Sequence, residues 1–222
     1  LDHHRTLRQG QPEVVYCAGK TVAQVEAICD RFVAALGGFL GTRATEEQAQ
    51  ALAARYPGLE WNPLARTVLL RADGRPAPAG RVLVVSAGTS DLPVGEEAAV
   101  TAEAMGHGVE RLADVGVAGL HRLLGRADRL HEADVIIVVA GMEGALPSVV
   151  GGLVGAPVIA VPTCAGPPFR NARLWSRRCS GVTLIRVSHA GEVTPCSHRL
   201  TPNRIATSIE SVDSDISATS NS

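Results

Sequence analysis

Apolar positions along this chain keep two rhythms, a helical spacing and short unbroken runs, and the elements follow from where each rhythm holds. Val22, Val25, Ile28, Cys29, Phe32 and Val33 recur at helical spacing behind Thr21, which is suited to cap a helix, and Gly37-Gly38 ends the pattern. A second stripe, Ala49, Leu52 and Ala53, follows Thr45 and an acidic first turn of Glu46 and Glu47, and Tyr56-Pro57-Gly58 stops it. Short strands are predicted at 13–17, 39–43, 59–61 and 67–70. Residues 1–71 thus read as a small α/β domain whose first twelve residues form a polar, basic arm. The Pro-, Gly- and Ala-rich stretch that follows carries no apolar periodicity and places a linker at 72–80.

From Arg81 the pattern changes. Val82 to Val85 run without polar alternation, as in a strand covered on both faces, and small residues follow before Asp91 and Pro93. Strands at 82–87, 109–115, 134–140 and 157–161 alternate with helices at 93–105, 119–132 and 145–154. This alternation predicts right-handed crossovers and a parallel sheet with helices on both faces, an α/β fold. Beyond Thr163 the reading is a loop at 164–168, a short basic helix at 169–178 and a last strand at 181–187. Residues 188–222, dominated by Ser, Thr, Asp and Asn, are expected to be a disordered tail; Ile205, Ile209, Val212 and Ile216 at helical spacing leave a docked helix as the alternative.

Composition narrows the function classes. Hydrophobic residues make up 45% of the 222, charged residues 19% and aromatics 3%, so the core is aliphatic. With a formal net charge of -1 and no long Lys/Arg run, there is no electrostatic footprint for nucleic acid or an anionic membrane, which favours small-molecule partners. No apolar run reaches a membrane span and the first residues do not resemble a signal peptide, so a cytoplasmic protein is expected. The opening Leu1 is expected where the natural chain begins earlier or starts unusually. Cys17, Cys29, Cys164, Cys179 and Cys196 show no CxxC pair, which indicates neither a zinc site nor a disulfide framework.

Candidate chemistry gathers at strand ends. Ser86, Gly88, Thr89 and Ser90 put amides and hydroxyls at the carboxyl edge of the first strand of the sheet, where open α/β sheets bind ligands; an ordinary tight turn is the competing reading. Asp91 is a candidate to hold a ribose hydroxyl or a metal-bound water, or merely caps the helix that follows. Glu143 stands between a strand and a helix, placed for acid–base work or for interaction with the helix N-terminus. No Walker or GxGxxG spacing is present.

Four stretches carry a specific resemblance: SAGTSDLPVGEEAAVTAE (86–103), DVGVAGLHRLL (114–124), VVAGMEGALPSVVGGLV (138–154) and PVIAVPT (157–163). Together with DHHRTLRQGQPEVV (2–15) and GKT (19–21), they resemble the aminoimidazole ribonucleotide carboxylase (PurE-like) family, most closely its LarB branch, over about residues 1–163. The resemblance implies a three-layer α/β/α sandwich of flavodoxin-like kind in a homo-octamer with sites between subunits. It implies carboxylation of the pyridinium ring of nicotinic acid adenine dinucleotide, with CO2 as co-substrate and release of AMP, in nickel-pincer cofactor biosynthesis. Mg2+ is the candidate ion and no organic cofactor is expected. A purine-pathway carboxylase or mutase and a nucleotide-binding pseudoenzyme are the alternatives.

Roles carry over residue by residue. The branch places a nucleophilic cysteine just before its last core strand, where this chain has Cys179 beside Arg177 and Arg178; a structural cysteine is the other reading. Ser86, Gly88, Thr89, Ser90 and Asp91 are implied to bind phosphates and ribose, with Glu143 as base or phosphate-side acid and Asp91 as the other candidate for the catalytic base. Gly141, Gly144, Ala145, Leu146 and Pro147 would line a small dry pocket for CO2, and His121 and Arg122 would meet a substrate carboxylate, against a solvated helix face. His3, His4, Arg5 and Arg8 are candidates to close over the nucleotide. After Thr163 the chain departs from the family's Gly-Tyr-Gly and Asp-Asn-Gly loops and keeps only Cys-Ser-Gly-Val-Thr.

Overall fold

The computed structural model describes residues 13–72, 77–141, 145–163, 182–187 and 193–195. Two sheets organise them. The first has the order β1-β2-β4-β3, from β1 (Val15–Tyr16), β2 (Phe39–Thr42), β3 (Glu60–Asn62) and β4 (Thr67–Leu70). β1 runs parallel to β2, while β4 is antiparallel to both β2 and β3. Helices α1 (Val22–Leu36) and α2 (Glu46–Arg55) start where the sequence places them. Thr21 and Thr45 each accept a hydrogen bond from the residue three positions on, and Gln24 and Gln48 reach back to the cap amides. Gly37, at φ 74°, closes α1 in the left-handed region. Val25, Cys29, Phe32, Leu52 and Val68 fill the core between these helices and the sheet.

The second sheet has the order β10-β9-β8-β7-β5-β6. It comprises β5 (Arg81–Ser86), β6 (Gly108–Leu112), β7 (Val135–Ala140), β8 (Val158–Pro162), β9 (Val182–Val187) and β10 (Val193–Pro195). Strands β5 to β9 are mutually parallel and β10 pairs antiparallel with β9. The parallel part is the doubly wound order 2-1-3-4-5. Helices lie on both faces, and the central strands β5, β7 and β8 are apolar along nearly their whole length, whereas the edge strand β6 exposes Glu110 and Arg111. Val82 and Val84 of β5 turn to α3 (Leu92–Ala104), with Ala99 and Ala102 against them. Leu83 and Val85 turn the other way, into a larger core with Leu123, Leu130, Leu146 and Val150. Those four side chains come from α4 (Leu120–Leu124), α5 (Ala127–Glu132) and α6 (Ala145–Leu153). The result is the expected three-layer α/β/α sandwich preceded by a small α/β unit.

The first unit is seated on α3. Leu40, Ala65 and Leu69 pack with Val100, Arg43 pairs with Glu97 at 2.9 Å, and Asn62 donates to Glu96 at 3.0 Å. The end of the linker is tied down as well, since Ala79 donates to Gly106 and Gly108 donates to Gly80.

Three expectations are corrected. The helix expected over 119–132 is two short helices behind a 3-10 turn, Val117–Gly119. Its break falls at Gly125, a poor helix former, and at Arg126, whose N–H bonds only three residues back to Leu123. The strand expected over 109–115 stops at Leu112, because Asp114 takes φ 60° and turns Val115 into the core. Within 188–222, expected as a disordered tail or else a docked helix, Val193–Pro195 form β10 of the sheet. The predicted helix at 169–178 and the arm at 1–12 lie outside the described residues.

Candidate functional site

The carboxyl edge of the parallel sheet is where the chemistry-bearing side chains meet. β6 and β7 lie on opposite sides of β5, so the chain winds away from β5 in both directions and leaves a crevice beyond its end. Ser86, the last residue of β5, is buried opposite Val139. Two loops close on it: Ala87 donates its N–H to Val139 at 3.2 Å, and Val115 and Gly116 donate theirs to the carbonyls of Ser86 and Ala87. These bonds account for the backbone groups that the strand end would otherwise leave unpaired.

Asp91 sits beneath this edge with 4% of its surface exposed. A buried carboxylate requires hydrogen-bond donors, and both of its oxygens have one. Oδ2 accepts from the Gly88 amide at 2.9 Å, and Oδ1 accepts from the Thr163 hydroxyl in a short contact. The sequence left Asp91 as a ligand contact or a cap of α3. Its side chain makes no capping hydrogen bond to α3 but joins the loop after β5 to the end of β8. Gly141 lies between: a Cβ there would stand 3.1 Å from both the carbonyl and the hydroxyl oxygen of Thr163 and 3.9 Å from Asp91 Oδ1. Only glycine leaves that approach open without displacing its neighbours. Above this pair, Thr89 and Ser90 are exposed in the 3-10 turn Thr89–Asp91.

The structure therefore brings Ser86, Gly88, Asp91 and Gly141 together, with Thr89 and Ser90 at the surface above them. His121 and Arg122 follow the loop after β6, whose Val115 and Gly116 bond to Ser86 and Ala87. Both His121 and Arg122 are exposed on α4, and the Arg122 guanidinium lies over Gly119 and pairs with Asp114 at 3.4 Å. Ala145 opens α6 half-buried, Pro147 is buried in it, and Leu146 is a fully buried member of the main core. Cys179, Glu143 and Gly144 lie outside the described residues. Thr163 is the residue that motif reading passed over. Its signal was positional, a hydroxyl directly after a buried strand, as Ser86 ends β5.

Among the described residues no three His, Cys, Asp or Glu side chains converge. Asp91, the carboxylate of the cluster, accepts from Gly88 and Thr163, and no second acidic side chain stands beside it among these residues. The buried thiols among the described residues are elsewhere: Cys17 and Cys29 lie in the first unit, pushed up by burial to about 11 and about 12, and are poor nucleophiles. An apolar groove of about 710 Å³ also lies apart from Asp91, along α3 and between Arg43, Arg81, Met105, Ile137 and Ile159. No helix among the described residues is long and apolar enough to cross a membrane.

A family model described as AIR carboxylase matches residues 81–192, and one described as LarB/PurE-like N-terminal domain matches residues 1–72. The carboxylase match runs past Thr163, where the motifs of the resemblance stop. An uncharacterized protein of Methanocaldococcus jannaschii is 40% identical over 200 residues, covering 85% of this chain and 78% of its own length.

Proposed function

The chain belongs to the AIR carboxylase family and carries a LarB/PurE-like N-terminal domain, and from that pairing we propose that it carboxylates the pyridinium ring of nicotinic acid adenine dinucleotide and releases AMP. One observation carries the reading: in a chain with both domains, Ser86, Gly88, Asp91 and Gly141 converge at the crevice of a doubly wound sheet. Small residues there let a ligand backbone approach closely, and the exposed Thr89 and Ser90 offer hydroxyls to phosphate or ribose oxygens. The supply of a nickel-pincer cofactor pathway, the octamer and the requirement for Mg2+ with the substrate's phosphates belong to this reading.

The chemistry asks for a nucleophile. A pyridinium ring is electron-poor and does not attack CO2; addition of a thiolate gives a neutral dihydropyridine whose enamine carbon does. A ring proton is then lost to a base, the sulfur leaves, and aromaticity returns with one carboxylate added. Hydrolysis of the phosphoanhydride by water releases AMP and leaves a mononucleotide. Cys179 is assigned as the thiolate and Glu143 as the base; Arg177 and Arg178 in the adjoining sequence favour the ionised sulfur. The test is mass spectrometry of the purified chain with the dinucleotide, bicarbonate-derived CO2 and magnesium. AMP and a carboxylated mononucleotide are expected, with both lost in Cys179→Ala. Turnover unchanged in that variant removes Cys179 from the mechanism, and binding without product identifies a nucleotide-binding protein that has lost catalysis.

A further inference from the structure

We propose that Thr163 is a positioning residue: through its hydroxyl it fixes Asp91, and Asp91 in turn fixes the loop from Gly88 to Ser90. The importance of that loop to a nucleotide rests on the function proposed above; the positioning itself does not.

The geometry separates a local contact from a long-range one. Asp91 Oδ2 takes the amide of Gly88, three residues back, an arrangement that any tight strand-to-helix loop makes for itself. Asp91 Oδ1 takes the hydroxyl of a residue 72 positions on, after a strand separated from β5 by β7. That second bond makes the loop's shape depend on the sheet. Thr163 is itself anchored, since its N–H donates to the Ala140 carbonyl at 3.0 Å at the end of β7. Gly141 keeps the space beside the pair, as any Cβ there would press on both oxygens of Thr163. Three strand ends therefore act on one carboxylate: β5 through Gly88, β7 through the Ala140 anchor and Gly141, and β8 through Thr163.

Removing the hydroxyl while keeping the shape, as in Thr163→Val, leaves Oδ1 buried without a donor. The carboxylate is expected to turn away and loosen its hold on the Gly88 amide. Thr163→Ser keeps the hydroxyl and is expected to preserve both.

The experiment is residue-resolved hydrogen exchange on the full chain without ligand. In Thr163→Val the Gly88 amide is expected to exchange at least about tenfold faster, the amount set by losing one hydrogen bond to a charged group, while Val84 and Val85 in β5 keep their protection. Thr163→Ser should match the parent, and Thr163→Ala provides a second test should the valine variant not fold. Unchanged Gly88 exchange overturns the proposal, as does equal acceleration throughout β5, which would make Thr163 a general stabiliser. In a second arm, calorimetry with nicotinic acid adenine dinucleotide compares Thr163→Val, Asp91→Asn and the double variant. Action through Asp91 predicts that the double variant binds as weakly as Asp91→Asn alone, and multiplied losses overturn it. If the parent fails to bind the dinucleotide while Gly88 still responds to Thr163→Val, the functional reading falls and the positioning stands.

Discussion

Gln48 and Asp91 are both buried polar side chains near the start of a helix, one in each unit, and their partners differ in kind. Gln48 donates to the carbonyls of Cys17 at 3.3 Å and Lys20 at 2.8 Å and accepts from the Thr45 amide. Every one of these groups belongs to the first unit, and together they close the turn between β1 and α1 against α2. Asp91 instead joins a loop to a distant strand end beneath two exposed hydroxyl side chains. A buried polar group whose partners are all backbone of its own unit is part of the scaffold. One that shapes an open loop at a sheet's carboxyl edge belongs, under the proposed function, to the site.

This contrast can be broken by substitution. Leu52→Ala, in the first unit's core, should cost about 2–5 kcal/mol by denaturant unfolding and leave the folded protein's nucleotide affinity within about twofold. Gln48→Ala should cost about 1–3 kcal/mol by the same measurement, from the carbonyls it strands, again without loss of affinity. Asp91→Ala should do the reverse, with affinity falling about tenfold or more in calorimetry; equal effects of Gln48→Ala and Asp91→Ala on binding would erase the distinction.

Alkali sharpens the comparison further. Burial holds the protons of Cys17 and Cys29 up to about 11 and about 12, from an ordinary 9.0. Below pH 9 both states keep these protons and the stability contribution is whole. As pH rises from 9 through the folded values, the unfolded chain has released protons that the native state still holds, so stability falls. Denaturant midpoints at pH 8 and pH 10 should show that loss, and Cys17→Ala with Cys29→Ala should reduce it. The smallest effect concerns Thr67 in β4, whose hydroxyl is the buried side-chain polar atom without a partner among the described residues. Thr67→Val should be neutral or raise stability by up to about 1 kcal/mol in the same unfolding assay.

Much of the fold was legible because it rests on local patterns. Thr21 and Thr45 cap the helices they were expected to open, and the uniform run Val82–Val85 belongs to a strand covered on both faces. What escaped was set by tertiary contact or by a single backbone angle. The turn at Asp114 cut one strand short, and Gly125 split a helix whose apolar residues, Leu123 and Leu130, keep a common face. β10 exists by pairing with β9, which no property of Val193, Thr194 and Pro195 announces. At the candidate site the loop Ser86 to Asp91 could be read from residue types at a strand end. Thr163 could not, because its role depends on lying 72 residues from Asp91 in the chain and a hydrogen bond away in space.

The strand order carries a consequence for how this site can change. Because β6 and β7 depart from β5 on opposite sides, the opening is an address written in the winding of the chain and not in any loop. Loops at that edge can be exchanged, lengthened or rewritten, and what they present will change. Where they present it will stay the same for as long as the sheet keeps its order.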